Sequence, residues 1–195
     1  NDAAATLPNS YNSVENITPL ETPLSSTING AALATPVFLS LYAENDLRLD
    51  KYFAETDEKG FRKNKKAGSN NYLCTFRVGE IYLTAAEAAA RLGELSQART
   101  RLLELMRKRY APEAYEAKSV VVNAMDKEAL VQEILDERAR ELAFEGHRWF
   151  DLRRSTRPRL EKVLDGTRYV LEENDARYTL AIPKEAIEAN PGLLN

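Results

Sequence analysis

Asp136-Glu-Arg-Ala-Arg-Glu-Leu-Ala-Phe-Glu-Gly-His-Arg-Trp-Phe-Asp-Leu-Arg-Arg154 combines a dense run of charge with the apolar spacing of a buried helix. Together with the residues before it, Leu130, Ile134, Leu135, Leu142, Trp149 and Leu152 recur at three-, four- and seven-residue steps, as one helix face requires. Continued through its middle, that face passes over Arg138, Glu141 and Glu145. Taking an ion out of water costs several kcal/mol unless it is paired. The stretch therefore predicts a helix from about Asp126 to Arg153, with a break near Gly146, that locks onto matching charges on a neighbour.

The neighbour is expected to be the helix Arg77–Leu92. Its apolar stripe reads Val78, Ile81, Ala85, Ala88 and Leu92, it carries Glu80 and Glu87 a heptad apart, and Gly93 closes it. The expected network comprises Arg77, Glu80, Glu87, Arg138, Glu141, Glu145 and Arg148, with Glu80 or Glu87 meeting Arg138 or Arg148. Glu137, Glu141 and Glu145, at i, i+4 and i+8, also have the look of an acid/base set such as glycosidases use. The structural reading is preferred, because each acid has an arginine within helical reach, and arginine lowers a carboxylate's pKa.

A second helix, about Ser96–Tyr110 with Ala98, Leu102, Leu105 and Arg109 in line, follows Gly93-Glu94-Leu95 and makes an antiparallel pair with the first. Ala-Arg-Leu-Gly-Glu-Leu-Ser-Gln-Ala98 resembles the middle of a tetratricopeptide unit. Residues 1–30, rich in Asn, Ser, Thr and Pro, read as an irregular segment, with residues 31–195 as the domain body. Pro36–Tyr42 suggests a short helix, residues 55–71 a polar loop, Tyr72–Phe76 an extended lead-in, and residues 111–125 a loop. Tyr169–Leu171 and Tyr178–Ile182 suggest a hairpin around Glu173–Ala176, before a short helix Lys184–Ala189. The fold class is mainly α: tetratricopeptide-like helix pairs with irregular loops and a small C-terminal β-hairpin.

Composition narrows the chemistry. At 195 residues, 44% hydrophobic and 29% charged with net charge −3, the chain is an ordinary globular sequence without the basic footprint of nucleic-acid binding. Lys59, Arg62, Lys63, Lys65 and Lys66 cluster among Gly, Ser and Asn and read as a solvated loop. One histidine, His147, and one cysteine, Cys74, cannot build a zinc site, and Cys74 reads as a small buried residue rather than a reactive thiol. A calcium site from Asn174 and Asp175 is weaker than a turn reading of both. No phosphate loop is present, no apolar run is long enough to span a bilayer, and no cofactor or catalytic residue is expected.

Glu137-Arg138, Glu141-Leu142, Glu145-Gly146, Arg148 and Asp151-Leu152-x-Arg154 resemble the ER..EL..EG.R..DL.R pattern of the SusD/RagB family, surface nutrient-binding lipoproteins of Bacteroidetes-type bacteria. Phe76–Leu83 followed by Ala86-Glu87-Ala88 is similar to that family's R..E.YL..AEA helix. Tyr178–Pro183 with Asn190-Pro191 is similar to its ending, and Asn45-Asp46-x-Arg48 to its Asp-x-Arg turn. The resemblance implies a non-enzymatic protein that captures an oligosaccharide or other nutrient. It would sit on the extracellular face of the outer membrane and pass its ligand to a SusC-like TonB-dependent transporter. Membrane attachment in the family is through a lipid-bearing cysteine after a signal peptide, neither of which this sequence carries. Family members are also considerably longer, so the chain is expected to be a C-terminal portion. Apolar faces around Leu103, Met106 and Val37–Leu41 should then lack their cover. The alternative reading is a helical-repeat adaptor that binds another protein.

Sugar recognition uses flat rings against C–H faces, with polar groups on the hydroxyls. Trp149, Phe144, Phe150 and Tyr82 fall inside the helical motifs and are expected in the core. Tyr11, Tyr42, Tyr52, Tyr72, Tyr110 and Tyr115 lie in polar loops. Of these, Tyr42, Tyr52, Tyr72 and Tyr115 are the candidate ligand-binding residues.

Overall fold

The computed structural model describes residues 13–20, 33–66, 74–164, 166–190 and 192. The chain divides into two units, residues 1–148 and residues 149–195. Tyr11, Tyr72 and the side chain of Cys74 lie outside what is described.

In the first unit, β1 (Asn16–Leu20) falls inside the segment expected to be irregular. β2 (Leu33–Ala34) precedes α1 (Pro36–Leu39), whose Thr35 cap accepts from Phe38 N, so the helix starts where Pro36 indicated but stops at Leu39. α2 (Arg48–Tyr52) runs into β3 (Phe53–Thr56), and β4 (Arg62–Asn64) returns across it. The polar loop predicted at 55–71 is thus partly a strand pair, with β2 on the other edge of β4. β5 (Cys74–Arg77) pairs antiparallel with β1, and Val78 N donates to Glu15 O, fixing Glu15 beside the next helix.

That helix, α3 (Val78–Leu92), turns at Gly93 (φ +87°) into α4 (Leu95–Met106), which packs back along it. α5 (Pro112–Ala124) occupies the stretch expected to be a loop. Its run Val120-Val121-Val122 is a poor helical signal, and only Val122 is buried there, so the segment lacks a clear apolar stripe. α6 (Lys127–Glu141) starts at the Asp126 cap, which accepts from Ala129 N, as the sequence indicated. Leu83, Ala86, Ala90, Ala98, Leu102, Met106, Leu130 and Ile134 form the shared core of α3 to α6.

Two expectations fail here. The inward face of α3 carries Gly79, Leu83, Ala86, Glu87 and Ala90, whereas Ile81, Ala85, Ala88 and Leu92 are exposed. Alanines surround this helix, so apolar spacing alone does not set its rotation; the close approach of Gly79 to Arg77 and Glu141 does. Met106, expected on an uncovered face, is fully buried because α5 and Tyr110 close over α4. Leu103 and Leu41 are half-buried, and Val37 is exposed.

α6 ends at Glu141, five residues before the break expected at Gly146, and α7 (His147–Arg154) resumes after it. Between them Phe144 adopts φ +62°, a costly conformation for an aromatic residue. Its ring packs edge-on against Phe38 and Phe53, in a second core with Tyr42 and Ala143.

The second unit holds the hairpin, but at a different place. β6 (Leu160–Leu164) pairs with β7 (Thr167–Leu171), the ladder running from Leu160 opposite Leu171 to Leu164 opposite Thr167. Ala176–Tyr178 is a short 3-10 turn, and α8 (Lys184–Ala189) follows as expected. Trp149 stacks on buried Tyr178 with ring centroids 5.2 Å apart, whereas Phe150, expected in the core, is exposed. The molecule is mainly helical with short strands. Among the described residues, no helix is long and apolar enough to cross a membrane.

Candidate functional site

The charges that the sequence placed on an apolar helix face are buried and paired. Glu141 is the centre. Its Oε1 accepts from Arg77 Nη1 (2.5 Å) and Arg109 Nη2 (3.0 Å), and its Oε2 from Arg48 Nη1 (3.0 Å) and Arg109 Nε (3.0 Å). Glu145 accepts from Arg77 Nε and Nη2 and from Lys66 Nζ. Glu137 accepts from Arg48 Nη1 (2.7 Å), Arg140 Nε (2.8 Å) and the Tyr110 hydroxyl (3.2 Å).

Local structure explains why distant residues meet. Leu47 N donates to Arg109 O and Ala111 N to Asn45 O, so the turn holding Asp46 and Arg48 is tied to the end of α4. Asp46 then grips Arg48 through both carboxylate oxygens, at 2.9 and 2.8 Å. β1–β5 pairing brings Glu15 to Arg109 Nη2 at 2.7 Å. The helix break after Glu141 frees backbone carbonyls. Glu141 O accepts from Arg77 Nη2 and Lys66 Nζ, and Ala143 O also accepts from Lys66 Nζ. Arg48, Lys66, Arg77, Arg109 and Arg140 thus face Glu15, Asp46, Glu137, Glu141 and Glu145, five cations against five anions, all buried.

Burial by itself pushes these carboxyls up, but the cations outweigh it. Arg48 and Arg140 hold Glu137 at about 2. Arg109, Arg77 and Arg48 hold Glu141 well below the usual carboxylate range, and Arg77 and Lys66 hold Glu145 down. Burial pulls the Lys66 ammonium down to about 8, against the opposing pull of Glu145. A general acid needs the reverse, a raised pKa and a route to substrate. The arrangement is suited to fixing α6, α3, α4 and the β1–β5 ribbon together, not to proton transfer.

Of the residues expected in this network, Arg77, Glu141 and Glu145 form its heart. Glu80 lies 3.6 Å from His147 Nδ1, Glu87 accepts from Arg91 Nε, Arg138 is buried and donates to Thr84 Oγ1 of α3, and Arg148 is exposed. Sequence spacing does not assign Glu15, Lys66, Arg109 or Arg140 to the network, and gives Asp46 and Arg48 only as a turn. Lys66 in particular corrects the reading of its neighbourhood as a solvated basic loop: its ammonium also sits 4.6 Å from the Tyr52 ring centroid.

The tyrosines separate in the same way. Tyr42 is buried and donates to Arg140 O at 2.7 Å, and Tyr52 is buried beneath Lys66, so neither can offer a ring to a ligand. Tyr110 is buried under Arg48. Tyr115 is half-buried and lines a cleft of about 450 Å³ with Arg107, Tyr110, Pro112 and Glu116. That lining, an aromatic wall with one basic and one acidic side chain at the rim, suits a polar ligand with apolar faces. Among the described residues, no group of His, Cys, Asp and Glu could hold a metal ion. Asp175 is already engaged by Arg177 through both oxygens.

The model of the SusD family matches residues 32–195, and the chain belongs to that family. The solved structure of a SusD-like carbohydrate binding protein from Bacteroides vulgatus ATCC 8482 superimposes with a TM-score of 0.54 at 20% identity. The match covers 80% of this chain and 40% of that one, so the chain spans less than half the length of that relative. At this identity the likeness shows a shared fold. No curated protein sequence matches the chain. Glu137, Glu141 and Glu145, through which the sequence resembles the family, lie in the buried network of this chain.

Proposed function

We propose that the chain is part of a surface nutrient-capture protein that binds an oligosaccharide reversibly and without chemistry. The full-length protein would be lipid-anchored at the extracellular face of the outer membrane and deliver its ligand to a SusC-like TonB-dependent transporter. The family match over residues 32–195 carries this reading. The solved relative described as carbohydrate binding supports the ligand class. The buried carboxylates Glu141 and Glu145 are held ionised by arginine, which favours binding over turnover. The Tyr115 cleft is the proposed contact in the first unit, with the Tyr115 ring as platform and Arg107 and Glu116 as hydroxyl partners.

A second role, contact with another protein segment, is favoured by one observation. Ile81, Ala85, Ala88 and Leu92 lie in line and exposed on α3, an apolar stripe with no cover among the described residues. The test of the main reading is calorimetric titration of the chain with a panel of purified oligosaccharides. Saturable binding of one glycan class, weakened about tenfold by Tyr115→Ala, is expected. Binding of proteins but of no glycan would favour the adaptor reading instead.

A further inference from the structure

The second unit contains a cleft of about 320 Å³ that the family's scaffold motifs do not explain. Trp149, Leu160, Lys162, Tyr169, Leu171 and Arg177 line it, with Val170 on the strand between Tyr169 and Leu171. Strand register accounts for the grouping. Leu160 faces Leu171 and Lys162 faces Tyr169 across β6 and β7, so these four side chains share one face of the hairpin. Glu161 belongs to the opposite face, where Arg159 and Arg168 bind it.

The aromatic part of the cleft is held rigid. Trp149 stacks on Tyr178 at an interplanar angle of 13°, and the Tyr178 hydroxyl donates to Pro158 O. Arg177 is fixed by Val170 O and both oxygens of Asp175, which also match its charge. Lys162 is different. It is exposed, has no ion pair or hydrogen bond among the described residues, and no acidic side chain lines the cleft with it. Flat rings, an aliphatic floor and one unmatched ammonium suit a sugar ring whose C–H face lies on the aromatics while an anionic substituent meets the lysine.

We infer that this cleft is a subsite for an acidic pyranose residue, one bearing a carboxylate or a sulfate. The inference rests on the glycan-binding reading and names the class of glycan. Trp149 is the only tryptophan in the sequence, so its emission reports directly from the cleft.

The experiment titrates the chain with galacturonic acid oligomers, sulfated galactan oligomers and unsubstituted galactan oligomers, following Trp149 emission and heat together. A change in emission with one of the two acidic series, at an affinity at least about tenfold above the neutral series, is expected, and which series responds separates carboxylate from sulfate. Lys162→Ala should abolish that preference, and Tyr169→Ala should weaken acidic and neutral ligands alike. Both positions are exposed on the hairpin, and circular dichroism checks that the fold is retained. Heat of glycan binding with unchanged emission, and with both variants silent, would overturn the subsite while leaving glycan binding intact. Equal affinity for neutral and acidic series would overturn the acidic class. Absence of heat with every glycan, including those of the wider panel above, would defeat the glycan reading and this inference with it.

Discussion

Replacing Glu141 with Gln keeps the shape of the side chain and removes the charge at the centre of the network. The carboxylate accepts four hydrogen bonds from Arg48, Arg77 and Arg109. Each hydrogen bond to a charged group contributes about 1.5–3 kcal/mol net to stability. Glutamine retains one acceptor oxygen, but its amide NH2 then faces an arginine N–H, donor against donor. Such contributions do not add, so the better guide is the cost of removing one partner of a buried ion pair, about 3–5 kcal/mol. For a chain of this length, roughly 2–4 °C of midpoint is lost per kcal/mol, so Glu141→Gln should lower the thermal midpoint by roughly 6–20 °C. Thermal unfolding followed by far-ultraviolet circular dichroism measures it, with Glu161→Gln, which breaks only surface pairs with Arg159 and Arg168, as a control that should lower the midpoint by no more than about 4 °C. A loss below about 1 kcal/mol would refute the view that Glu141 locks the helices, since surface pairs cost that little.

Three further outcomes follow from the same geometry. A Cβ on Gly79 would sit 2.8 Å from Arg77 Nη1 and 2.9 Å from Glu141 Oε1. Gly79→Ala should therefore destabilise by about 1–3 kcal/mol in urea titration, despite alanine's better helix propensity. Arg48→Lys keeps the charge but loses the fork that engages Asp46, Glu137 and Glu141 at once, and should cost at least about 2 kcal/mol by the same titration. The folded-state pKa of Glu137 is about 2 against an ordinary 4.5, and Glu141 and Glu145 are depressed too. The unfolded chain binds more protons in that interval, so stability should be fully present above about pH 4.5 and fall as pH drops towards 2. The slope of urea midpoint against pH should be shallower in Glu141→Gln, which has one titrating group fewer.

The charge conflict on α6 was legible because it is local: Arg138, Glu141 and Glu145 interrupt an apolar spacing within a single helix. Its resolution was not, because the partners lie on other elements. Arg77 is 64 residues from Glu141, and Glu15 is 94 residues from Arg109. A buried lysine such as Lys66 is indistinguishable in sequence from its solvated neighbours Lys63 and Lys65 until the helix break supplies the carbonyls that receive it. The α3–α4 pair was visible through Gly93, but the rotation of α3 was not, since alanine packs on any side. α5 did carry start signals, Pro112 at its first turn and Glu113 beside it, and these lost to the β-branched run Val120–Val122. The hairpin lies one strand earlier than the sequence suggests, because Asn174-Asp175, a turn signal in sequence, starts a 3-10 turn rather than joining two strands. The tyrosines show the widest gap. Tyr42, Tyr52 and Tyr115 all lie in polar surroundings in sequence, and only packing reveals that two of them are core.

Capture without chemistry is the central claim, and recovery of the ligand tests it most directly. The oligosaccharide with the largest calorimetric response is incubated with the chain at saturation for a day and then analysed by mass spectrometry. The account predicts saturable binding and an oligosaccharide recovered at its original mass. Shortened products, absent when a folded Glu137→Gln or Glu141→Gln variant replaces the chain, would contradict it and make the buried carboxylates catalytic.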